Sequence, residues 1–289
     1  MGVMTAIRSQ TVGMKPRTLV VGMGKTGLSV VRHLAAEGVP LAVTDSRPKP
    51  PSLVQIREEF PDIAVFVGGF DAGAFDAAEQ IVISPGVAVS EPLIAAAHRR
   101  GVSVIGDIEL FARRALKPIV AISGANGKST VTSLVAEMIN ACGATVLMGG
   151  NIGTPALELL DGPTPDFYVL ELSSFQLETT YSLRAAAACV LNITADHMDR
   201  YVDFNAYRAA KLRIYAGAGT CVYNRDDSNT VPAQNDSPVL SFGLSEPQDG
   251  EFGVITDAQG EWLAYGRERL LATTNIPLAG RHNQANVLA

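Results

Sequence analysis

The segment SGANGKST, residues 123–130, follows the apolar run IVAI of residues 119–122. A strand, a glycine-rich turn and a Lys-Ser/Thr pair at a helix start are typical of a loop that binds nucleotide phosphates, because backbone N–H groups and the lysine meet the anion there. The usual spacing G-x-x-x-x-G-K-[ST] would place a glycine where the chain has Ile122. The segment therefore predicts a shortened phosphate loop, whose candidate residues are Gly124, Ala125, Asn126, Gly127, Lys128, Ser129 and Thr130.

Strand-like apolar runs alternate with helix-like segments on both sides of this loop. The runs lie at 18–21, 41–44, 64–67, 80–83, 103–105, 119–122, 145–148, 167–171, 187–193, 220–223, 239–242, 252–255 and 262–265. This alternation predicts an α/β fold with parallel sheets, interrupted at Lys117-Pro118. We expect a disordered leader over 1–16, a Rossmann-like domain over 17–116 and a P-loop-type α/β domain over 117–289.

The composition is that of a globular protein, since 47% of the 289 residues are hydrophobic and 18% are charged. A net charge of −6 argues against a broad basic surface, so neither nucleic acid nor an anionic membrane is an expected partner. Cys142, Cys189 and Cys221 have no C-x-x-C spacing, which predicts reduced thiols in a cytoplasmic protein. No apolar stretch has the length of a signal peptide or a membrane span.

A second glycine pattern, Gly-x-Gly-x-x-Gly at residues 22–27, follows the first predicted strand. With Asp45 at the end of the next strand, it matches the dinucleotide-binding pattern, in which a pyrophosphate lies at the helix start and the acid meets a ribose hydroxyl. By itself the pattern favours an NAD-linked oxidoreductase, with a tight turn that binds nothing as the alternative. Arg47 and Gly86 follow strands of the same sheet, where each is either an anion contact or an ordinary loop residue.

Polar residues also follow the strands near the phosphate loop. Glu171 ends one predicted strand, and Asp196 and His197 come shortly after another. In a parallel sheet these residues share an edge with the phosphate loop, where a triphosphate-using enzyme needs oxygen ligands for Mg²⁺. Lys211 lies on a predicted helix, and from the residues alone a solvated lysine is the simpler interpretation.

Six motifs contain most of these residues. They are GANGKST at 124–130, GGNIG at 149–153, LELSSFQLE at 170–178, NITADHMDRY at 192–201, YRAAKLRIY at 207–215 and GRHNQAN at 280–286. Together they resemble the Mur ligases of peptidoglycan synthesis, over about residues 18 to 289. The forms ELSSFQLE and DHMDRY, with GMGKTGLS and TDSR upstream, are similar to the members that join D-glutamate to UDP-N-acetylmuramoyl-L-alanine.

The resemblance implies an ATP-dependent amide ligase that acts through an acyl phosphate. Lys128 would then neutralise charge on the ATP phosphates, while Ser129 and Glu171 hold a first Mg²⁺. His197 matches a position at a second Mg²⁺, and Lys211 matches a lysine that becomes N-carboxylated and serves as an oxygen ligand. The shortened loop is the form that this family uses to bind ATP.

The same resemblance assigns the remaining candidate residues. Asn283 and Asn286 match positions near the adenine of ATP. The first glycine loop would hold the uridine diphosphate end of the substrate instead of NAD. The residues that match contacts to the UDP-substrate are Lys25, Thr26, Asp45, Ser46, Arg47, Gly86, Asn151 and Ser173.

Members of the family continue into a third domain that binds D-glutamate, and nothing in this chain matches that domain. We therefore expect the present chain, as a monomer, to bind the UDP-substrate without completing the ligation. Three alternatives remain open: a Mur ligase of another specificity, an NAD-linked oxidoreductase, and a nucleotide-binding module without catalysis.

Overall fold

The computed structural model describes residues 17–233 and 237–289. The expected disordered leader, residues 1–16, lies outside the described residues. The first sheet has five parallel strands in the order β3-β2-β1-β4-β5. They are β1 (Thr18–Val21), β2 (Leu41–Asp45), β3 (Ala64–Val67), β4 (Gln80–Ile83) and β5 (Ser103–Ile105). The accompanying helices are α1 (Lys25–Ala36), α2 (Leu53–Glu59), α3 (Ala72–Ala77), α4 (Pro92–Arg99) and α5 (Asp107–Arg114).

The second sheet has the strand order β14-β13-β12-β11-β10-β9-β6-β8-β7. Its strands are β6 (Ile119–Ser123), β7 (Val146–Gly150), β8 (Phe167–Glu171), β9 (Ala187–Val190), β10 (Cys221–Asn224), β11 (Val239–Phe242), β12 (Phe252–Asp257), β13 (Gly260–Tyr265) and β14 (Glu268–Ala272). Pairing is parallel from β7 to β12 and antiparallel from β12 to β14. The helices are α6 (Lys128–Ala141), α7 (Ser174–Glu178), α8 (Phe204–Leu212) and α9 (Arg281–Leu288).

The predicted α/β class is confirmed, and the predicted strands occur within a few residues of their expected positions. Sequence patterns missed α3, α7 and β14, because five or six residues are too few to show a periodicity. The predicted helix that contains Lys211 is α8, and a short 3₁₀ turn over Arg213–Tyr215 follows it. The domain boundary near Lys117 stays a prediction.

Residues of both sheets belong to one hydrophobic core, which also includes residues of α5. Phe111 of α5 is fully buried and packs edge-on against Tyr168 of β8, with ring centroids 5.1 Å apart. Glu109 of the same helix accepts hydrogen bonds from the N–H groups of Tyr181 (2.7 Å) and Ser182 (2.8 Å). Apolar packing and a buried carboxylate thus fix α5 against the second sheet.

Within the described residues the longest helix, α6, has 14 residues. A bilayer span requires about 20 consecutive, mostly apolar residues. The described helices therefore include no candidate for a membrane span.

The turn between β1 and α1 requires a glycine at position 27 because the chain folds back on itself there. A Cβ atom on Gly27 would lie 1.9 Å from the carbonyl oxygen of Gly22. Gly24, in the same turn, has open space around its Cβ position. The third glycine of the pattern is therefore needed for close packing between the helix and the strand.

Gly27→Ala is expected to lower the free energy of unfolding by at least about 2 kcal/mol, because the backbone must move to admit the methyl group. Gly24→Ala is the matched control, with an expected loss below about 1 kcal/mol. Urea denaturation of the two variants measures both values. Equal stability of the two variants would contradict this account of the turn.

Candidate nucleotide and substrate site

The phosphate loop connects β6 to α6, as its sequence predicts. Gly127 caps α6 in the left-handed conformation (φ 84°), and no side chain makes a capping hydrogen bond at this helix start. A Cβ atom on Gly127 would lie 2.5 Å from Oδ1 of Asn286, so α9 packs closely on this turn. The N–H groups of the first helical turn have no acceptor within the helix, which makes this end of α6 suitable for an anion.

Two N–H groups of the loop itself are already used. The N–H of Ala125 donates to the carbonyl oxygen of Asn192, and the N–H of Asn126 donates to Oδ1 of the same residue, both at 2.8 Å. The sequence pattern predicts that a row of backbone N–H groups meets an anion at this loop. Because two of these groups are used within the protein, the N–H groups in the first turn of α6 are the ones that remain for an anion.

Lys128 folds back over the loop. Its Nζ donates to the carbonyl oxygens of Gly124 (3.0 Å) and Ala125 (2.9 Å). Burial lowers the pKa of Lys128, while the nearby carboxylates of Glu171 and Asp196 oppose that effect. The side chain is therefore a partly desolvated amine held beside the anion-binding end of α6.

Glu171 lies at the end of β8 and is only 2% exposed. Its carboxylate accepts a hydrogen bond from Oγ of Ser129 (2.7 Å) and another from Nδ2 of Asn151 (2.6 Å). The described residues contain no group of three or more His, Cys, Asp or Glu that could hold a metal ion. The hydroxyl and carboxylate oxygens nevertheless fit Mg²⁺, which binds through one or two protein oxygens and takes further ligands from water and phosphate.

Lys211, on α8, is 3% exposed. Its Nζ donates to the carbonyl oxygen of Gly124 (2.8 Å) and lies 4.9 Å from the ring centre of Tyr207. The pKa of Lys211 is lowered to about 7, first by burial and next by the charge of the neighbouring Lys128, with Asp196 acting in the opposite direction. The interpretation of Lys211 as a solvated lysine, which the residues alone favoured, is therefore wrong. The amine is buried, and near neutral pH it carries a proton only part of the time.

His197 has an unusual left-handed backbone conformation, with φ 53°. Its ring lies 4.8 Å from that of Phe175, and its side chain is half exposed. With Lys128 and Lys211 it lines a cavity of about 250 Å³, called the lysine cavity below. The other residues of the lysine cavity are Gly124, Ala125, Asn151, Ser173, Ser174, Phe175, Asp196 and Tyr207.

A second cavity, of about 480 Å³, lies where the strand order of the first sheet reverses between β1 and β4. We call it the first-sheet cavity. Of the residues predicted to contact the UDP-substrate, it is lined by Lys25, Thr26, Asp45, Ser46, Arg47, Gly86 and Asn151. Ser173 lines the lysine cavity instead. Asn151 lines both cavities, so they adjoin at this residue.

Asp45 and Arg47 form an ion pair at the edge of the first-sheet cavity. The guanidinium of Arg47 donates to both carboxylate oxygens, at 2.9 and 2.7 Å, and the N–H groups of Met23 and Arg47 also donate to them. Burial acts to raise the pKa of Asp45, but these hydrogen bonds outweigh it and the pKa lies below its usual value. Asp45 thus orients a half-exposed arginine at the cavity.

A third cavity, of about 560 Å³, is lined by residues of both the phosphate loop and α9 and is called the α9 cavity. Asn283 and Asn286, the residues expected near adenine, line it together with Asn126, Gly127 and Thr130. The two asparagines are hydrogen-bonded to each other, with Nδ2 of Asn286 donating to Oδ1 of Asn283 at 3.1 Å. The α9 cavity is therefore continuous with the end of the loop that the phosphates would occupy.

Sequence reasoning did not predict the side-chain hydrogen bonds that connect loops of the two sheets. Arg200 donates to the carbonyl oxygens of Pro85 and Val87, both at 2.8 Å, and its guanidinium lies 4.1 Å from the ring centre of Phe175. Lys25 donates to the carbonyl oxygen of Gly153 at 2.6 Å. Arg200 was within a recognised motif, but nothing in the motif indicates a bond to residues more than 100 positions away.

A buried chain of polar groups also joins α5 to α7. The amide of Gln176 donates to the carboxylate of Asp107 (3.1 Å), and its oxygen accepts from the N–H and hydroxyl of Ser173. The other carboxylate oxygen of Asp107 is buried without a partner. Burial raises the pKa of Asp107 to about 6, although the hydrogen bond from Gln176 and those from backbone N–H groups partly offset the rise.

Asp107→Asn is expected to become more stable relative to the wild type as the pH rises from 4.5 to 7.5. The folded pKa lies above the unfolded value of 3.8, so the wild type loses stability as the pH rises from about 4 to about 6, and the full cost of ionising Asp107 is present above about pH 6. The difference in the free energy of unfolding should change by roughly 2 kcal/mol over this range.

Urea denaturation at the two pH values measures this change, with the exposed Asp62→Asn as the control. If the difference in the free energy of unfolding between Asp107→Asn and the wild type is the same at both pH values, ionisation of Asp107 does not destabilise the folded protein as proposed.

The parallel sheet, the loop between β6 and α6, and the carboxylate at the end of β8 define an α/β protein of the P-loop type. A protein-family model described as the Mur ligase middle domain matches residues 122–289. A model described as the Mur ligase MurD-like N-terminal domain matches residues 16–106. The first of these covers more than half of the chain, which therefore belongs to the Mur ligase family.

Curated relatives agree with this assignment. Proteins named UDP-N-acetylmuramoylalanine--D-glutamate ligase from Nitrosococcus oceani and Methylobacillus flagellatus are 56% and 52% identical to the chain, over 94% of its length. A relative of the same name from Marinobacter nauticus is 50% identical. The chain spans about 60% of the length of these relatives.

Solved structures share the fold at low sequence identity. A UDP-N-acetylmuramate:L-alanyl-gamma-D-glutamyl-meso-diaminopimelate ligase from Neisseria meningitides matches with a TM-score of 0.59 at 20% identity, over 95% of this chain and 91% of that one. The UDP-N-acetylmuramate-alanine ligase MurC from Thermotoga maritima matches with a TM-score of 0.54 at 19% identity, over 94% of this chain and 63% of that one. These likenesses support the observed α/β architecture.

Proposed function

We propose that the chain is the substrate- and nucleotide-binding part of an ATP-dependent ligase that adds D-glutamate to UDP-N-acetylmuramoyl-L-alanine, a precursor of peptidoglycan. The observation that supports this best is the meeting of Lys128, Lys211 and His197 in one cavity that adjoins the first-sheet cavity at Asn151. The names of the close relatives supply the substrates. We further propose that the protein acts as a cytoplasmic monomer, without nucleic acid or a membrane as partner.

In this proposal two ligands occupy the three cavities. The domain over 17–116 takes the uridine diphosphate group in the first-sheet cavity, where Arg47 and the start of α1 meet the pyrophosphate. The domain over 117–289 takes ATP, with the adenine in the α9 cavity and the phosphates at the first turn of α6. The muramoyl-alanine part then passes Asn151 and Ser173 to bring its carboxylate into the lysine cavity.

The chemistry begins with attack of a substrate carboxylate oxygen on the γ-phosphorus of ATP. The bond between that phosphorus and the bridging oxygen breaks, ADP leaves, and an acyl phosphate forms. The amine of D-glutamate then attacks the acyl carbon and loses a proton, and phosphate leaves as the amide forms. Lys128 would stabilise the charge that develops on the transferring phosphoryl group, because its ammonium lies beside the loop in a partly desolvated position.

The donor set also fits the metal that the family implies. Mg²⁺, when bound, neutralises negative charge on the β- and γ-phosphate oxygens. Ser129 and Glu171 would hold one ion, and His197 with an N-carboxylated Lys211 would hold a second. A neutral lysine amine adds to the carbon of CO₂, and the product after loss of a proton is a carbamate, which offers oxygen ligands where the ammonium offers none.

We expect Lys211 to carry this carbamate at pH 8, because its low pKa leaves the amine mostly unprotonated there. Carbon-13 NMR of the protein in ¹³C-bicarbonate should show one carbamate carbon per chain, which disappears in Lys211→Arg. The exposed Lys117→Arg is the matched control and should retain the signal. Wild-type protein without a carbamate signal would contradict the proposed modification.

Because the chain spans about 60% of its relatives, binding is the direct test of the proposed function. Calorimetric titration with UDP-N-acetylmuramoyl-L-alanine should show binding, and NADH should give none. Arg47→Ala is expected to weaken that binding at least tenfold, since it removes a cation held at the cavity by Asp45.

Arg57→Ala, which removes an exposed arginine of α2, is the matched control and should bind as the wild type does. Binding of NADH in place of the UDP compound would overturn the proposed function in favour of the NAD-linked interpretation of the first glycine loop.

A further inference from the structure

The phosphate loop is two residues shorter than the usual pattern, since only Ala125 and Asn126 separate its two glycines. A shorter loop has fewer backbone groups with which to stabilise its own turn. Its central residues are nevertheless held in place, and the group that holds them comes from another strand connection 66 positions away.

That group is Asn192, which follows β9 on the neighbouring strand of the second sheet. Its side-chain oxygen accepts from the N–H of Asn126 (2.8 Å), and its side-chain NH₂ donates to the carbonyl oxygen of Asn126 (3.0 Å). Its backbone oxygen accepts from the N–H of Ala125 (2.8 Å). Three hydrogen bonds thus connect one residue to the two central positions of the loop.

The side-chain part of this contact requires a carboxamide. Only Asn and Gln present a hydrogen-bond acceptor and a hydrogen-bond donor side by side, so that one side chain satisfies both the N–H and the C=O of a single residue. A carboxylate has no donor for the carbonyl oxygen of Asn126, and an apolar side chain has neither group. Asn126 itself is exposed, so little packing holds its backbone in place otherwise.

We propose that Asn192 is a positioning residue for the nucleotide phosphates. By holding Asn126, it sets the backbone that leads into the left-handed turn at Gly127 and hence the direction in which the first N–H groups of α6 point. This inference rests on the proposed function, because it takes the loop to be the ATP phosphate site. Asn192 also lines the α9 cavity, so a direct contact with adenine is the alternative that the test must separate.

The test compares ligands that carry different parts of ATP. For Asn192→Ala, the affinities for ATP and for tripolyphosphate, each with Mg²⁺, should fall by the same factor of about ten, while the affinity for adenosine changes less than twofold. Calorimetry suits the first two ligands and NMR titration suits adenosine. Asn192→Leu, similar in size to the wild type, should show the same losses, because the hydrogen bonds and not the volume are responsible.

Two controls show that the protein remains intact. Binding of UDP-N-acetylmuramoyl-L-alanine should stay within twofold of the wild type in both variants, since Asn192 does not line the first-sheet cavity. Asn140→Ala, at the far end of α6 and exposed, should leave every affinity unchanged. Hydrogen exchange in the wild type gives a measurement that needs no variant: the amides of Ala125 and Asn126 should be protected.

Several results would overturn the proposal. Unchanged ATP affinity in Asn192→Ala, or rapid exchange of both loop amides in the wild type, would show that Asn192 does not hold the loop. Equal losses for ATP and adenosine, with tripolyphosphate unaffected, would make Asn192 an adenine contact instead. A wild-type chain that binds neither ATP nor tripolyphosphate would overturn the proposed function together with this inference.

Discussion

The buried carboxylate of Glu171 connects the loops on which the site depends. It accepts hydrogen bonds from Ser129 at the start of α6 and from Asn151 after β7, and its backbone oxygen accepts from the N–H of Asn151. A charge that is 2% exposed is costly unless such donors meet it, so the carboxylate and its partners require one another. The start of α6 and the turn at Asn151, where the lysine cavity adjoins the first-sheet cavity, are thereby held at the end of β8.

Two lysines share a single acceptor beside this carboxylate. The Nζ atoms of Lys128 and Lys211 both donate to the carbonyl oxygen of Gly124. If both amines were charged, the two cations would repel each other within a small, partly buried cavity. Burial and this repulsion lower the pKa of Lys211 to about 7. A lysine that is often neutral can act as a nucleophile toward CO₂, which is why the proposed carbamate is chemically reasonable at this position.

The local motifs predicted where the glycine-rich loop between β6 and α6 lies, because one short segment contains the strand end, the two glycines and the helix start. They also placed Asp45 and Arg47 near the end of one strand, but the ion pair between the two residues is seen only in the structure. Contacts between distant segments were not predictable: Asn126 and Asn192 are 66 positions apart, and Arg200 and Val87 are 113 positions apart. Neither residue spacing nor residue type indicates which loops a folded sheet brings together.

The sequence by itself determined the α/β class, the order of most helices and strands along the chain, and the positions of two glycine-rich turns between a strand and a helix, because these depend on periodicity and glycine spacing over a few residues. Only the tertiary structure decided the order of the strands within each sheet, the two cavities that adjoin at Asn151, and the environment of Lys211. That environment is decisive for chemistry, since the same lysine on an exposed helix would remain a cation. Burial and neighbouring charge set its protonation, and both arise from packing between segments distant in the chain.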